Sequence, residues 1–281
     1  MFYMKAITKK FRQLMLTSII VLLPSSLLAQ EKEQAPDAEP AAAPTAIANK
    51  PALSMQDKQV PEYQQAWLTV GQQQHLAFYL AETSGNTFGG LVLIPDMNHH
   101  PATSVSINSL RNNLSDNHWH TLAVNMAYVD KDTAMEVITA AINYLNQQGV
   151  FNIALLGEGL GATQVMHYMA ARAEPADQQV SQIRAMVMIN GNNQLSAGDT
   201  KSLAMLEKIK LPILDAYTSS DYQQQQQAKD RKQAAKRYMN RFYQQLKLPP
   251  PAFQTVQADR TSKRIRGWLD KNAAGFMVDG R

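Results

Sequence analysis

Residues 154–164 read ALLGEGLGATQ. An apolar run ends in Gly157-Glu158-Gly159-Leu160-Gly161, and helical spacing follows through ATQVMHYMAARA. A short apolar run stopped by glycine suits a buried strand. The glycines mark a tight turn into the helix. Strand, sharp turn and helix in that order form the repeating unit of a parallel sheet covered by helices.

The same unit recurs on both sides. Upstream, GGLVLIPD at 89–96 and HTLAVNM at 120–126 are short apolar runs. Between them, Ile107, Leu110 and Leu114 repeat at helical spacing, and DTAMEVITAAINYLNQQG at 132–149 predicts a helix from Asp132 to Gly149. Two alternating segments lead the series, QAWLTV at 65–70 and HLAFYLAET at 75–83, with Gly71 between them. They predict an antiparallel pair. Downstream, IRAMVMIN at 183–190 and LPILDAY at 211–217 predict strands, and SLAMLEKI a helix between them. A long helix is expected over about 224–246, a last strand in AFQTVQA at 252–258, and a closing helix in RIRGWLDKNA. The expected fold class is α/β, a three-layer sandwich on a mostly parallel sheet with an antiparallel N-terminal pair.

This layout resembles the α/β-hydrolase fold, in which a G-x-S-x-G nucleophile elbow follows the fifth strand. FNIALLG is the fifth strand counted from Gln65, and Gly157, Gly159 and Gly161 occupy the elbow frame. The middle position holds Gly159 where the family has serine. The family's acid follows the seventh strand, and LPILDAYTSSD places Asp221 there, although a turn aspartate would look the same. Its histidine follows the eighth strand. The last histidine of this chain is His167, and the loop in question reads ADRTSKR, with Asp259 and Arg260 near the expected place. Glycine tolerates the elbow's positive φ without the strain that a side chain brings. The run from GGLVLIPD through GEGLGA and LPILDAY to RYMNRFYQQL and RIRGWL further resembles an uncharacterised family of exported bacterial proteins with this fold and no assigned substrate. That resemblance covers most of residues 60–272 and implies the fold alone.

Other readings of the same residues compete. Gly157, Gly159 and Ala162 fit G-x-G-x-x-A, the dinucleotide fingerprint, but follow the fifth strand rather than the first. Glu158 beside the phosphate position would repel an anion. His99 and His100, in PDMNHHP, stand at the same end of the sheet as the elbow and suit an acid–base role or a solvated loop. His118 and His120 flank Trp119 and lie at the opposite end. His75 and His167 read as structural. The segment from Ala228 to Lys247 carries seven Lys or Arg and one acid, with Ala228, Ala235, Tyr238 and Phe242 as an apolar stripe. Such a helix meets acidic lipid or a partner, or is a solvated face over core.

Bulk composition narrows the classes. The chain has 281 residues and no cysteine, which removes disulfides, thiolate metal sites and cysteine nucleophiles together. Lys5, Lys9, Lys10 and Arg12 precede the apolar stretch LMLTSIIVLLPSSLLA, so residues 1–29 read as a secretory signal peptide. Removing these four cations from 27 leaves 23, equal to the 23 acids, so basicity is no argument for nucleic acid. Residues 30–60 read as a disordered linker and 61–281 as the folded domain. The expectation is a periplasmic protein without cofactor or metal, touching membrane only through an uncleaved leader, and binding a periplasmic protein or a small molecule. The candidate pocket is Met97, His99, Gly159, Leu160 and Asp221. Two functions stand side by side: a non-catalytic binding or scaffold protein, and an ester hydrolase using His99 or His100 with Asp221.

Overall fold

The computed structural model describes residues 50–97, 99–127, 129–172, 182–196, 199, 202–250 and 256–275, without the side chains of Lys131 and 256–259. All of them fall in the compact unit Ala46–Arg281. Eight strands form one sheet: β1 Gln65–Val70, β2 Gln73–Leu80, β3 Gly89–Ile94, β4 Trp119–Val124, β5 Ile153–Glu158, β6 Ile183–Ile189, β7 Ile213–Thr218 and β8 Tyr243–Leu248. Five helices cover it: α1 Val105–Ser115, α2 Lys131–Gln147, α3 Leu160–Ala171, α4 Tyr222–Arg237 and α5 Val256–Asn272. The spatial order is β1-β2-β4-β3-β5-β6-β7-β8. β1–β2 and β2–β4 are antiparallel and the remaining pairs parallel. The expected architecture is the observed one.

Alternation along the central strands builds two cores. Val92, Ile94 and Leu155 point to the face covered by α2 and α3, with Val137, Ile138, Val165 and Met166. Leu91, Leu93 and Leu156 point to the face of α1 and α5, with Ile107, Leu110, Ile265 and Leu269. β3 leads to β4 on one side, and β5 lies on the other. The crevice beyond the carboxyl ends of β3 and β5 is therefore the topological switch point, where open α/β sheets place ligands.

Five expectations are corrected. The long helix of 224–246 is α4 followed by strand β8. α4 stops at Arg237 because Met239 takes φ +53°, Met239 N–H bonds Lys236 O at 3.1 Å and Asn240 N–H bonds Ala235 O at 3.0 Å. That pair of bonds is a Schellman stop without its usual glycine. Among the described residues the last strand is Tyr243–Leu248, and 256–258 of the expected strand belong to α5, which starts at Val256; residues 251–255 lie outside the described residues. SLAMLEKI holds a 3-10 turn, Leu203–Glu207, and α2 is capped by Asp130 rather than Asp132. Finally, residues 50–60 of the expected linker join the fold. Val60 and Leu53 pack with Leu76 and Phe78, and Asp57 is buried, so apolar anchoring holds this stretch to β2. Residues 1–49, with the expected leader and the rest of the expected linker, lie outside the described residues.

Candidate functional site

The elbow geometry follows from its three glycines. Gly159, between β5 and α3, has φ +56° and ψ −122°, a combination side chains avoid. A Cβ at Gly157 would meet the backbone of Ala162, and one at Gly161 the carbonyls of Ile94 and Pro95. Bare backbone at 157 and 161 therefore lets the start of α3 press against β5 and β3. Gly159 N–H bonds Ile189 O at 2.9 Å, and its carbonyl accepts from Asn192 N–H at 3.2 Å.

An acid fills the space above the turn. A Cβ built on Gly159 would fall 2.6 Å from Cγ of Asp96, which follows β3. Asp96 Oδ1 accepts from Leu160 N–H at 3.4 Å. In hydrolases of this fold, the amide after the nucleophile is one of the two oxyanion donors. Here that amide and the nucleophile's volume both face the carboxylate of Asp96. Glu158 is engaged on the other side: its oxygens accept from Ser104 at 2.9 Å and from Ser106. Ser104 also caps α1.

The two histidines after β3 diverge. His100 is buried, and both ring nitrogens are committed. Nδ1 accepts from Ala102 N–H at 3.1 Å, so the ring is neutral and Nε2–H donates to Asp57 Oδ1 at 2.8 Å. Asp57 also accepts from Ser54 N–H at 2.7 Å and from Asn125 Nδ2 at 3.3 Å. Burial alone would push the Asp57 carboxyl up, but hydrogen bonds with Ser54 and His100 hold it below the usual carboxylate value. His100 is thus a staple between residues 54–57 and the β3–α1 loop. Both histidines line a cavity of about 870 Å³ with Trp67, His75, Leu76, Met97 and Met126, and the His100–Asp57 staple forms part of its wall. His75 Nε2 is buried without a hydrogen-bond partner, and burial holds its pKa below the ordinary imidazole value.

The sequence-expected pocket does not come together as one site. Met97 and His99 share the cavity; Gly159, Leu160 and Asp221 do not line it. Asp221 is the N-cap of α4, accepting from Gln224 N–H at 3.1 Å. The ends of β3 and β7 are three strand spacings apart, about 14 Å. The cavity opens toward β1 and β2, away from β7. The correction for Asp221 has a plain cause: an Asp before a polar helix start satisfies the helix's free amides. Asp259 and Arg260 fall in α5, not in a loop between β8 and that helix.

The remaining histidines serve local structure. His120 bonds Tyr79 OH at 2.7 Å and Thr87 Oγ1 at 3.3 Å. His118 bonds Ser84 Oγ at 2.7 Å and stacks on Phe88 at 4.4 Å. His167 bonds Ser202 Oγ at 2.8 Å. No cluster of three His, Asp or Glu that could hold a metal occurs among the described residues. Sequence reasoning missed Asp96 and Asp57. Asp96 lies inside the quoted GGLVLIPD run, two residues past the strand end that faces the elbow, and that position was the available signal.

Several solved structures share the fold. Est1E from Butyrivibrio proteoclasticus is 12% identical, with a TM-score of 0.58 over 74% of this chain and 98% of that one. A dienelactone hydrolase from Anabaena variabilis is 13% identical, with a TM-score of 0.59 over 74% and 97%. The esterase domain of a Rhodothermus marinus protein is 11% identical, with a TM-score of 0.59 over 75% and 99%. At these identities the likeness is one of fold. No curated protein matches the sequence. The family described as "Protein of unknown function (DUF3530)" matches residues 11–135 and 128–271, and this chain belongs to it.

Proposed function

We propose that this protein is an exported binding protein of the periplasm, built on a hydrolase fold and not performing serine-type hydrolysis. The observation that carries this reading is Asp96. Its carboxylate occupies the volume of the family nucleophile and faces the amide that would stabilise an oxyanion. A fixed anion there opposes the negative charge that develops in acyl transfer. Export rests on the basic n-region and apolar stretch of residues 1–29.

The ligand site is the cavity beside Met97 and His99. Trp67, Leu76, Met97 and Met126 offer an apolar body, and His75 and His99 a polar end. This composition suits a small amphipathic molecule. The test is hydrolysis of short- and medium-chain aryl esters by the wild type and His99→Ala. No turnover above background is expected in either. Turnover in the wild type that disappears in His99→Ala would replace this reading with an ester hydrolase of unusual site.

A further inference from the structure

We propose that the turn between α4 and β8 is a membrane-docking tip, seating Met239 and Phe242 in the headgroup region of an anionic phospholipid bilayer. Met239 is 82% exposed and Phe242 56%. Both fall within one turn of chain, flanked by the exposed cations Lys236, Arg237 and Arg241. None of these three is in an ion pair among the described residues. Exposed apolar side chains ringed by Lys and Arg match an interface whose interior is hydrocarbon and whose surface is phosphate.

The turn is a rigid frame rather than a loose loop. Asn240 Nδ2 donates to Ile209 O at 2.9 Å, and its Oδ1 accepts from Phe242 N–H at 3.0 Å. Tyr238 and Tyr243 on either side pack against the core. The frame therefore holds two apolar side chains outward. Met239 does so at φ +53°, a helix stop where glycine is favoured. A large apolar residue kept at a strained, exposed position points to a role outside folding.

Charge extends the surface beyond the tip. Lys229 and Lys232 continue an exposed basic stripe along α4, and Lys247 lies on the edge strand β8. α5 brings Lys271 into a groove with Gln244, two residues past Phe242. Residues 229–247 hold one acid, Asp230. This surface is independent of the ligand cavity, which lies toward β1 at the other end of the sheet. It also goes beyond the expectation that membrane contact comes only from the leader.

The chain has no cysteine, so Met239→Cys carries a single environment-sensitive fluorophore. Tyr63→Cys, exposed at the β1 end, is the control in the same full-length chain. Phosphatidylglycerol-containing vesicles are expected to blue-shift the label at 239 and leave the label at 63 unchanged. Pure phosphatidylcholine vesicles are expected to do neither. Arg237→Gln/Arg241→Gln should weaken vesicle partitioning roughly 30-fold at low salt. No shift at 239 overturns the proposal, as does equal response at both positions or on both vesicles. A shift that appears without lipid as protein concentration rises overturns it in favour of self-association.

Discussion

The carboxylate of Asp96 stands over Gly159, and its Oδ1 faces the amide of Leu160 at 3.4 Å. Glycine at 159 and aspartate at 96 are therefore two halves of one arrangement. A side chain at 159 needs the volume that Asp96 fills, and Asp96 sits at the N-terminus of α3, where an anion is favourable.

Gly159→Ser is expected to destabilise the fold by about 1–3 kcal/mol through backbone strain alone, plus the collision with Asp96. Asp96→Ala removes the collision. In a double-mutant cycle read by urea unfolding, the double variant should be more stable than the sum of the singles, by a coupling of about 0.5–3 kcal/mol. Additive costs would mean that the two residues do not share the site. Neither variant is expected to hydrolyse aryl esters, because the chain's last histidine is His167 and none follows the eighth strand, where the fold's catalytic histidine stands.

The network around Asp215 holds the far end of the sheet. Arg231 on α4 and Asp215 on β7 are both fully buried, paired at 2.8 and 3.0 Å. Tyr243 and Gln245 of β8 also donate to Asp215. Arg231→Met leaves Asp215 buried without its cation. The expected loss is about 3–5 kcal/mol, read as a lower urea midpoint. A loss under about 1 kcal/mol would mean that Tyr243 and Gln245 suffice.

The same network explains what the sequence concealed. β8 reads YQQLKL, and the residues facing α4 are Tyr243 and Gln245, because that face meets a buried ion pair instead of apolar core. Strand periodicity is consequently weak, while α4 upstream has strong helical spacing, and the helix reading ran through both. No glycine marked the stop at Met239. The central strands were legible because they are buried on both faces and read as apolar runs, and β1 and β2 because one buried face gives them alternation. The elbow was legible as well, since three close-packed glycines leave a sequence trace. The partners of the site were not: Asp96 meets Gly159 across 63 residues, and Asp57 meets His100 from a segment that composition marks as linker. Asp221 shows the converse error, a residue of the right type whose local duty as a helix cap suffices.

His100 pins the segment before β1. His100→Ala removes the donor to Asp57 Oδ1 and leaves a buried carboxylate with fewer partners. The expected cost is about 1.5–3 kcal/mol, with faster proteolysis within residues 50–60. Cleavage unchanged from the wild type would show that Val60 and Leu53 alone hold the segment.

Acid should weaken the fold in two steps. Burial holds His75 and His120 below the ordinary value of 6.5, only partly offset by Asp130 and Glu82. The unfolded chain thus binds protons that the native state resists, and stability is complete above pH 6.5 and falls as pH drops through it. Asp57 acts lower: its depressed pKa contributes stability above 3.8 that is lost as pH falls toward its native value. Thermal midpoints against pH should show both declines. His75→Gln/His120→Gln should flatten the first and leave the second, and an unchanged first decline would assign it to other groups.

Met239→Gly separates stability from surface function at one position. Glycine takes positive φ without the cost of about 1–2 kcal/mol that other residues meet there, and it is the favoured residue after a helix end. The variant should melt higher than the wild type, since Met239 makes no core contact that its loss would remove. The same change deletes half of the apolar tip, so partitioning onto phosphatidylglycerol vesicles should fall. Stability rising while lipid binding falls is the signature of a residue retained for function at the expense of the fold. A variant that melts lower would mean the methionine is structural, and its exposure would need another explanation.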